Sequence, residues 1–212
     1  METTYIEIDS PDKHLSDVLE EIPSNVILYK TLTGIGATYS EIKAQRHSII
    51  IEPNVPVIIG KCNSDKHKND NLLGVYEGVT TDRIIKYLGA SRGKYYKILT
   101  TPESFTKVKD AFLIFNGKIY NTCFLLIDEA HKTIKDVDYR SDIVLPMNDF
   151  FKFKGKALVS ATPLKFSDPR FEENGFSIIK IEPTYDYAKE IDIKPSTNIL
   201  REVWEEFGWM PF

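Results

Sequence analysis

Two adjacent carboxylates, Asp128 and Glu129, follow directly on the apolar run at positions 124–127. Such a run is typical of a central parallel strand covered on both faces, and open α/β sheets bind ligands at the carboxyl ends of these strands. One carboxylate there can hold Mg²⁺ while its neighbour polarises an attacking water. The pair predicts metal-assisted hydrolysis, although a strand that ends in a solvated acidic turn explains the same residues without any chemistry.

A glycine-rich loop supplies a candidate site for phosphate. Gly34 and Gly36 follow an apolar strand predicted at 26–29, and a helix is predicted after them. This order lets backbone N–H groups approach phosphate oxygens, and the hydroxyl of Thr38 is a candidate ligand for Mg²⁺. The spacing is that of a P-loop, except that Ala37 stands where the lysine is expected. A plain glycine turn that opens a helix remains the alternative.

Lys30 is a candidate to replace the missing lysine. It follows the predicted strand and lies seven positions before Ala37. A P-loop lysine places a positive charge close to the β- and γ-phosphates. Lys30 either replaces that charge by folding back toward the phosphates or is an idle surface lysine. We expect the idle lysine, because a side chain at a strand end has limited reach and an uncertain direction.

The elements that must position these residues alternate between strands and helices, which predicts an α/β fold with a mainly parallel sheet. Apolar runs predict further strands at 48–52, 72–79, 97–100, 123–127, 156–160 and 176–182. Periodic apolar residues predict helices at 10–22, 80–88, 102–115 and 198–207, with moderate helical character over 136–153. The prolines that follow Glu52 predict a turn after the second strand, and residues 61–71, which lack periodicity, are expected to form a surface loop.

The polar motifs stand where the apolar runs stop, and parallel strands bring their carboxyl ends to one edge of a sheet. The sequence therefore predicts that one edge gathers the residues Gly34, Thr38, Asp128, Glu129 and Ser160.

The composition is that of one ordinary domain. The chain has 212 residues, of which 42% are hydrophobic and 27% charged, and its net charge is −4. This charge gives no overall basic field for nucleic acid, so local patches would have to supply one. Cys62 and Cys123 match no zinc or redox motif, and no apolar run approaches the roughly 18 residues that span a membrane. We expect a cytoplasmic protein without a membrane partner.

Five short segments add a second line of argument through their order along the chain. They are Thr33-Gly-Ile-Gly-Ala-Thr38, Glu52-Pro-Asn54, Thr100-Thr-Pro-Glu103, Asp128-Glu-Ala-His131 and Ser160-Ala-Thr162. In this order they resemble motifs I, Ia, Ib, II and III of the first RecA-like domain of superfamily-two DEAD/DEAH-box helicases, over residues 30–164. Any one of them arises by chance, but five in the right order rarely do.

The resemblance implies a three-layer RecA-like P-loop NTPase domain that binds ATP and Mg²⁺. The residues it places at the nucleotide are Thr33, Gly34, Ile35, Gly36, Ala37 and Thr38. By the same resemblance Thr38 and Asp128 hold the metal, and Glu129 acts with Asp128 in catalysis. His131, Ser160 and Thr162 would couple the nucleotide to nucleic acid.

The resemblance also implies a single strand of DNA or RNA as a partner, contacted by Asn54 and Thr101. Residues 26–183 would form the ATP-binding domain, 1–25 a helix leading into it, and 184–212 an extension or the start of a second RecA-like domain. That second domain is expected to be missing or separate, and it would supply an arginine finger worth about 10³–10⁵ in rate. Hydrolysis by the chain alone is therefore expected to be slow or absent.

Two functions remain open at this point. The first is a helicase-type ATP-binding domain that is incomplete or weakly active alone. The second is a catalytically degenerate RecA-like module that binds nucleotide or nucleic acid, which Ala37 favours. An unrelated α/β enzyme with Asp128 and Glu129 as acid and base is a weaker third, because it leaves Ser160-Ala-Thr162 unexplained.

Overall fold

The computed structural model describes residues 1–32, 34–135, 145–162 and 168–186. Its strands form one sheet and are β1 Thr3–Ile8, β2 Val26–Lys30, β3 His47–Ile51, β4 Leu72–Val75, β5 Lys97–Thr100, β6 Cys123–Ile127, β7 Gly155–Ser160 and β8 Ser177–Pro183. Their order across the sheet is β1-β8-β2-β7-β6-β3-β5-β4, and every neighbouring pair is parallel. The predicted α/β fold with a predominantly parallel sheet is confirmed.

Helices cover both faces of this sheet. On one face lie α1 Leu15–Val18, α2 Ala37–Lys43 and α3 Val55–Asn63. On the other lie α4 Thr81–Ala90, α5 Phe105–Phe115, α6 Ile119–Thr122, α7 Ala130–Lys135, α8 Leu145–Phe150 and α9 Arg170–Glu173. Successive strand residues point to opposite faces, so Ile49 and Ile51 of β3 enter one core while Ile50 enters the other. The sheet is thus the middle of three layers, as expected.

The segment before β2 differs from the prediction of one long helix. Residues 15–18 are helical, but the rest of 10–22 is not, and His14 rather than Ser10 lies at the helix start. Residues 3–8 instead form β1 at the edge of the sheet, paired with β8. Most side chains of β1 are exposed, so the strand has no apolar run to mark it. β1 nevertheless belongs to the same sheet as the strands after residue 26.

α3 is a second difference, since its residues were expected to form a proline-marked turn followed by a surface loop. Pro56 lies in the first turn of the helix, where its missing N–H would have no helical partner in any case. Ile58 is buried and anchors the helix against β4. The predicted helix at 198–207 and the first part of 136–153 lie outside the described residues.

Among the residues that the structure describes, no helix combines the length and the apolar character that crossing a bilayer requires.

Gly74 lets α3 approach β4 closely. A methyl group at this position would lie 2.9 Å from Cγ2 of Ile58 and 3.2 Å from Sγ of Cys62. Gly74→Ala is therefore expected to lower the free energy of unfolding by about 1–3 kcal/mol, the usual cost of overpacking. Gly60→Ala in α3 is the matched control, because its methyl group meets nothing within 4 Å. Urea denaturation of both variants checks this, and equal stabilities would contradict it.

Candidate nucleotide site

Residues of the candidate site lie at the carboxyl ends of adjacent strands, in the order β2, β7, β6, β3 and β5. The residues at or just after these ends are Lys30, Ser160, Asp128, Glu52 and Thr101. The backbone register keeps the ends level, since Tyr29 pairs with Ser160 and Ile51 pairs with Ile127. Side chains from five strands can therefore reach one shared space at this edge.

The glycine loop enters this space from β2. Gly34 and Gly36 have φ angles of 79° and 88°, a region that residues with a Cβ rarely adopt. Ile35 between them is buried, and its carbonyl accepts a hydrogen bond of 2.9 Å from the N–H of Leu15. Thr33 lies outside the described residues. The loop thus has the backbone conformation of a tight glycine turn fixed from the N-terminal segment.

Ala37 and Thr38 are the first residues of α2, and both are buried. The Thr38 hydroxyl contacts Oδ2 of Asp128, and it lies 3.0 Å from Oε1 of Glu52. A hydroxyl carries one proton and can donate to only one of two carboxylates. The second contact therefore needs either a proton on a carboxyl group or a cation among the three oxygens.

The donor set at this point suits Mg²⁺. Thr38, Glu52 and Asp128 offer oxygen atoms, which Mg²⁺ prefers. In the described ranges no group of three or more His, Cys, Asp or Glu side chains could hold a metal ion. Protein sites commonly bind Mg²⁺ through one or two carboxylates plus waters and substrate phosphates.

The Glu52 carboxyl is a site residue to which the sequence assigned no role, although it opens the segment Glu52-Pro-Asn54. Burial raises its pKa, the nearby charge of Asp128 raises it further, and Lys61 at 2.5 Å lowers it only in part. Its position could have been found, because Glu52 ends an apolar strand just as Asp128 does. Lys61 could not, because it reaches Glu52 from α3, which was not predicted.

Lys30 points into the site, so the expectation that it lies on the surface is wrong. Its residue is 6% exposed, and Nζ lies 2.9 Å from Oδ1 of Asp128 and 2.7 Å from Oε1 of Glu129. Burial alone would lower the pKa of Lys30, but attraction to both carboxylates outweighs it and the pKa is raised. Burial would likewise raise the pKa of Asp128, but Lys30 and the Thr38 hydroxyl hold it below its usual value. Both groups are therefore charged at neutral pH.

Glu129 begins a chain of polar contacts that crosses from β6 to β7. Its φ angle of 50° is unusual for a residue with a side chain, and its N–H donates to Oδ1 of Asp128 at 2.8 Å. Oε2 of Glu129 lies 3.5 Å from Nε2 of His131, whose Nδ1 lies 3.1 Å from Oγ of Ser160. Ser160 in turn donates to the carbonyl of Thr162 at 2.7 Å. The structure thus joins all three predicted coupling residues to Glu129.

Asn54 and Thr101 follow β3 and β5 at the same edge but differ in exposure. Asn54 is exposed at the start of α3. Thr101 is buried, and its hydroxyl accepts a hydrogen bond of 3.3 Å from the N–H of Ser104. Of the two side chains, only that of Asn54 is open to a ligand in this conformation.

Comparison with known proteins supports a class of fold rather than a particular protein. No protein-family model matches the sequence, and no curated protein matches it. Solved structures do match, and those described next are helicase domains of the DEAD-box and related types.

Three solved structures illustrate the likeness. A hypothetical ATP-dependent RNA helicase from Sulfolobus tokodaii is 16% identical with a TM-score of 0.50, over 74% of this chain and 48% of that one. The Hef helicase domain of Pyrococcus furiosus is 14% identical with a TM-score of 0.50, over 81% and 38%. The DEAD-box helicase Mss116, bound to ssRNA and UDP-BeF, is 13% identical with a TM-score of 0.52, over 86% and 48%. The chain spans about half or less of the length of each of these three structures.

At these identities the likeness is one of fold. The chain has the helicase-type RecA-like α/β fold, and what its site binds must be argued from its own residues.

Proposed function

We propose that this chain is a helicase-type domain that binds ATP together with Mg²⁺. The observation that carries the proposal is the meeting of Thr38, Asp128, Glu129 and Lys30 beside the glycine loop. A hydroxyl, two carboxylates and an ammonium are the groups that a metal-bound triphosphate requires. Their position at the carboxyl ends of parallel strands is where α/β proteins bind ligands.

Each residue has a defined part in this proposal. Gly34 and Gly36 would let the backbone approach the phosphates, and Thr38 and Asp128 would hold Mg²⁺ with Glu52 beside them. Mg²⁺ bound there would neutralise charge on the β- and γ-phosphates. Ile35 and Ala37 contribute backbone to the loop, and Thr33 is included by its position in the sequence alone.

Glu129 is the proposed base that orients water and accepts its proton. Its carboxylate stands next to the metal ligand Asp128, and Lys30 and His131 fix its two oxygens. The contacts from His131 through Ser160 to Thr162 offer a path by which a change at the nucleotide reaches the loop after β7. We propose that this path couples nucleotide binding to a single strand of DNA or RNA near Asn54 and Thr101.

A degenerate binding module is the second candidate, and Ala37 is the residue that favours it. A buried methyl group at this position cannot supply the phosphate-binding charge. In its nucleic-acid-binding form, such a module would keep the fold and the nucleic-acid contacts without binding ATP. Direct measurement of ATP binding therefore separates the two functions.

Calorimetric titration of the purified chain with ATP and Mg²⁺ tests the proposal. We expect saturable binding that depends on Mg²⁺ and weakens by about 10–100-fold in Thr38→Val, the range typical of residues that hold or orient a metal. Thr4→Val, which replaces an exposed threonine of β1, is the matched control and should bind like the original chain. The absence of heat at high protein concentration would favour the degenerate module.

A further inference from the structure

Ala37 leaves the candidate site without the lysine that a P-loop places next to its threonine. We propose that Lys30, at the end of β2, supplies the missing phosphate-binding charge. The inference deepens the proposed function, because it assigns the residue that contacts the β- and γ-phosphates of the nucleotide. The inference rests on the Asp128 carboxylate, which both Lys30 and Thr38 contact.

Asp128 places the Lys30 ammonium next to the Thr38 hydroxyl. Lys30 bonds to Oδ1 of Asp128 at 2.9 Å, while Thr38 contacts Oδ2 of the same group. The two groups are therefore held on the two oxygens of a single carboxylate. In a P-loop, lysine and threonine are neighbours in sequence so that both reach the phosphates and the metal. Here the fold brings the same pair of groups together from two different elements.

Burial distinguishes Lys30 from the other lysines. In the described ranges three lysines are buried: Lys30, Lys97 and Lys156. Lys97 and Lys156 lie at the amino-terminal ends of β5 and β7, at the opposite edge of the sheet. Their ammonium groups donate to backbone carbonyls among other acceptors, whereas that of Lys30 meets the two carboxylates of the site. Lys30 is thus the buried lysine at the ligand-binding edge.

The negative charge of the candidate site is a second argument that the Lys30 ammonium contacts phosphate. Glu52, Asp128 and Glu129 bring three carboxylates together, and a triphosphate would add more negative charge. Lys61, which is partly exposed, forms an ion pair with Glu52. Lys30 forms ion pairs with the other two carboxylates, Asp128 and Glu129. If phosphate were bound and Asp128 served as a metal ligand, the Lys30 ammonium could exchange a carboxylate oxygen for a phosphate oxygen without leaving the site.

A fixed counter-ion is the competing role for Lys30. In that role the ammonium would stay on Asp128 and Glu129, neutralise them and compete with Mg²⁺. The two roles predict opposite effects of removing the charge. Loss of a phosphate ligand weakens ATP binding, whereas loss of a competing cation leaves ATP binding equal or stronger.

The test is a set of ATP titrations by calorimetry, with Mg²⁺ and again with EDTA, on folded variants. Lys30→Met should weaken ATP binding at least tenfold, and part of this loss should persist in EDTA because the ammonium contacts phosphate directly. Adding Ala37→Lys to Lys30→Met should restore the affinity to within a few fold. Lys109→Met is the matched control, since it removes a partly buried lysine paired with Asp149, away from the site.

The single variant Ala37→Lys gives an independent answer and keeps Lys30 in place. If Lys30 already serves the phosphates, the added lysine is redundant and ATP affinity should change less than threefold. Tightening of tenfold or more would show that the site lacked such a charge and would overturn the proposal. So would unchanged or stronger ATP binding by folded Lys30→Met. Failure of the original chain to bind ATP would instead overturn the proposed function, and this inference with it.

Discussion

Replacing Glu129 with glutamine is expected to reduce the slow ATP hydrolysis of the chain by about 10²–10⁴-fold, the range that general acid–base catalysis contributes. Glutamine keeps the shape of the side chain but cannot accept a proton from water. ATP affinity should stay equal or rise, because the change removes one negative charge beside the triphosphate. Single-turnover hydrolysis and a binding titration on the same protein measure the two effects separately.

The matched control for this prediction is Glu77→Gln, which changes an exposed glutamate in the turn after β4. It should hydrolyse ATP at the original rate. Unchanged turnover in Glu129→Gln would remove Glu129 from the proposed mechanism. A loss of ATP affinity as large as the loss of turnover would assign Glu129 to binding instead of catalysis.

Arg46→Met is expected to lower the free energy of unfolding by about 3–5 kcal/mol, the usual cost of leaving a buried charge without its partner. Glu41 is fully buried, and Arg46 bonds to both its oxygens at 2.6 and 3.0 Å. The guanidinium also donates to the carbonyl of Ile22 and lies 3.5 Å from the ring centre of Phe124. Without Arg46 the carboxylate would keep the Ser48 hydroxyl as its direct side-chain donor. Urea denaturation at neutral pH measures the loss.

A double variant separates the buried charge from the lost packing. In Glu41→Gln with Arg46→Met the unpaired carboxylate is gone, so this protein should be more stable than Arg46→Met alone. The difference is the part of the cost that comes from the uncompensated charge. A double variant less stable than Arg46→Met would show that packing and hydrogen bonds to the backbone dominate instead.

The sequence predicted the buried central strands better than the outermost strand of the sheet. β6 is buried along its whole length, so its apolar run marks it as a strand without help from tertiary contacts. β1 is exposed along most of its length, and its place beside β8 depends on a strand far along the chain. α3 was not predicted because proline is typical of turns, although it is equally compatible with the first turn of a helix, where Pro56 lies.

At the site, the order of motifs was enough to predict that Thr38 and Asp128 meet. The direction of Lys30 was not predictable in the same way. β7 lies between β2 and β6, so Lys30 can contact Asp128 only if the carboxyl ends of all three strands lie at the same height in the sheet. Lys61 depends on a helix that the sequence did not reveal. The residue types thus indicated phosphate and metal chemistry. The ion pairs of the two lysines depend on tertiary structure and could not be predicted from the sequence.

The pairing of Thr3 with Ile178 also bears on how the chain reaches its native state. Among the described strands β1 pairs with β8 alone, and β2 also pairs with β8 and β7 from far along the sequence. Contacts between distant residues form late, because closing a long loop costs chain entropy before any contact compensates for it. β3, β5 and β6 lie closer together in sequence and pair with one another, so we expect folding to nucleate around them. β1 then docks last, and its amide protons should be among the first of the sheet to exchange with solvent.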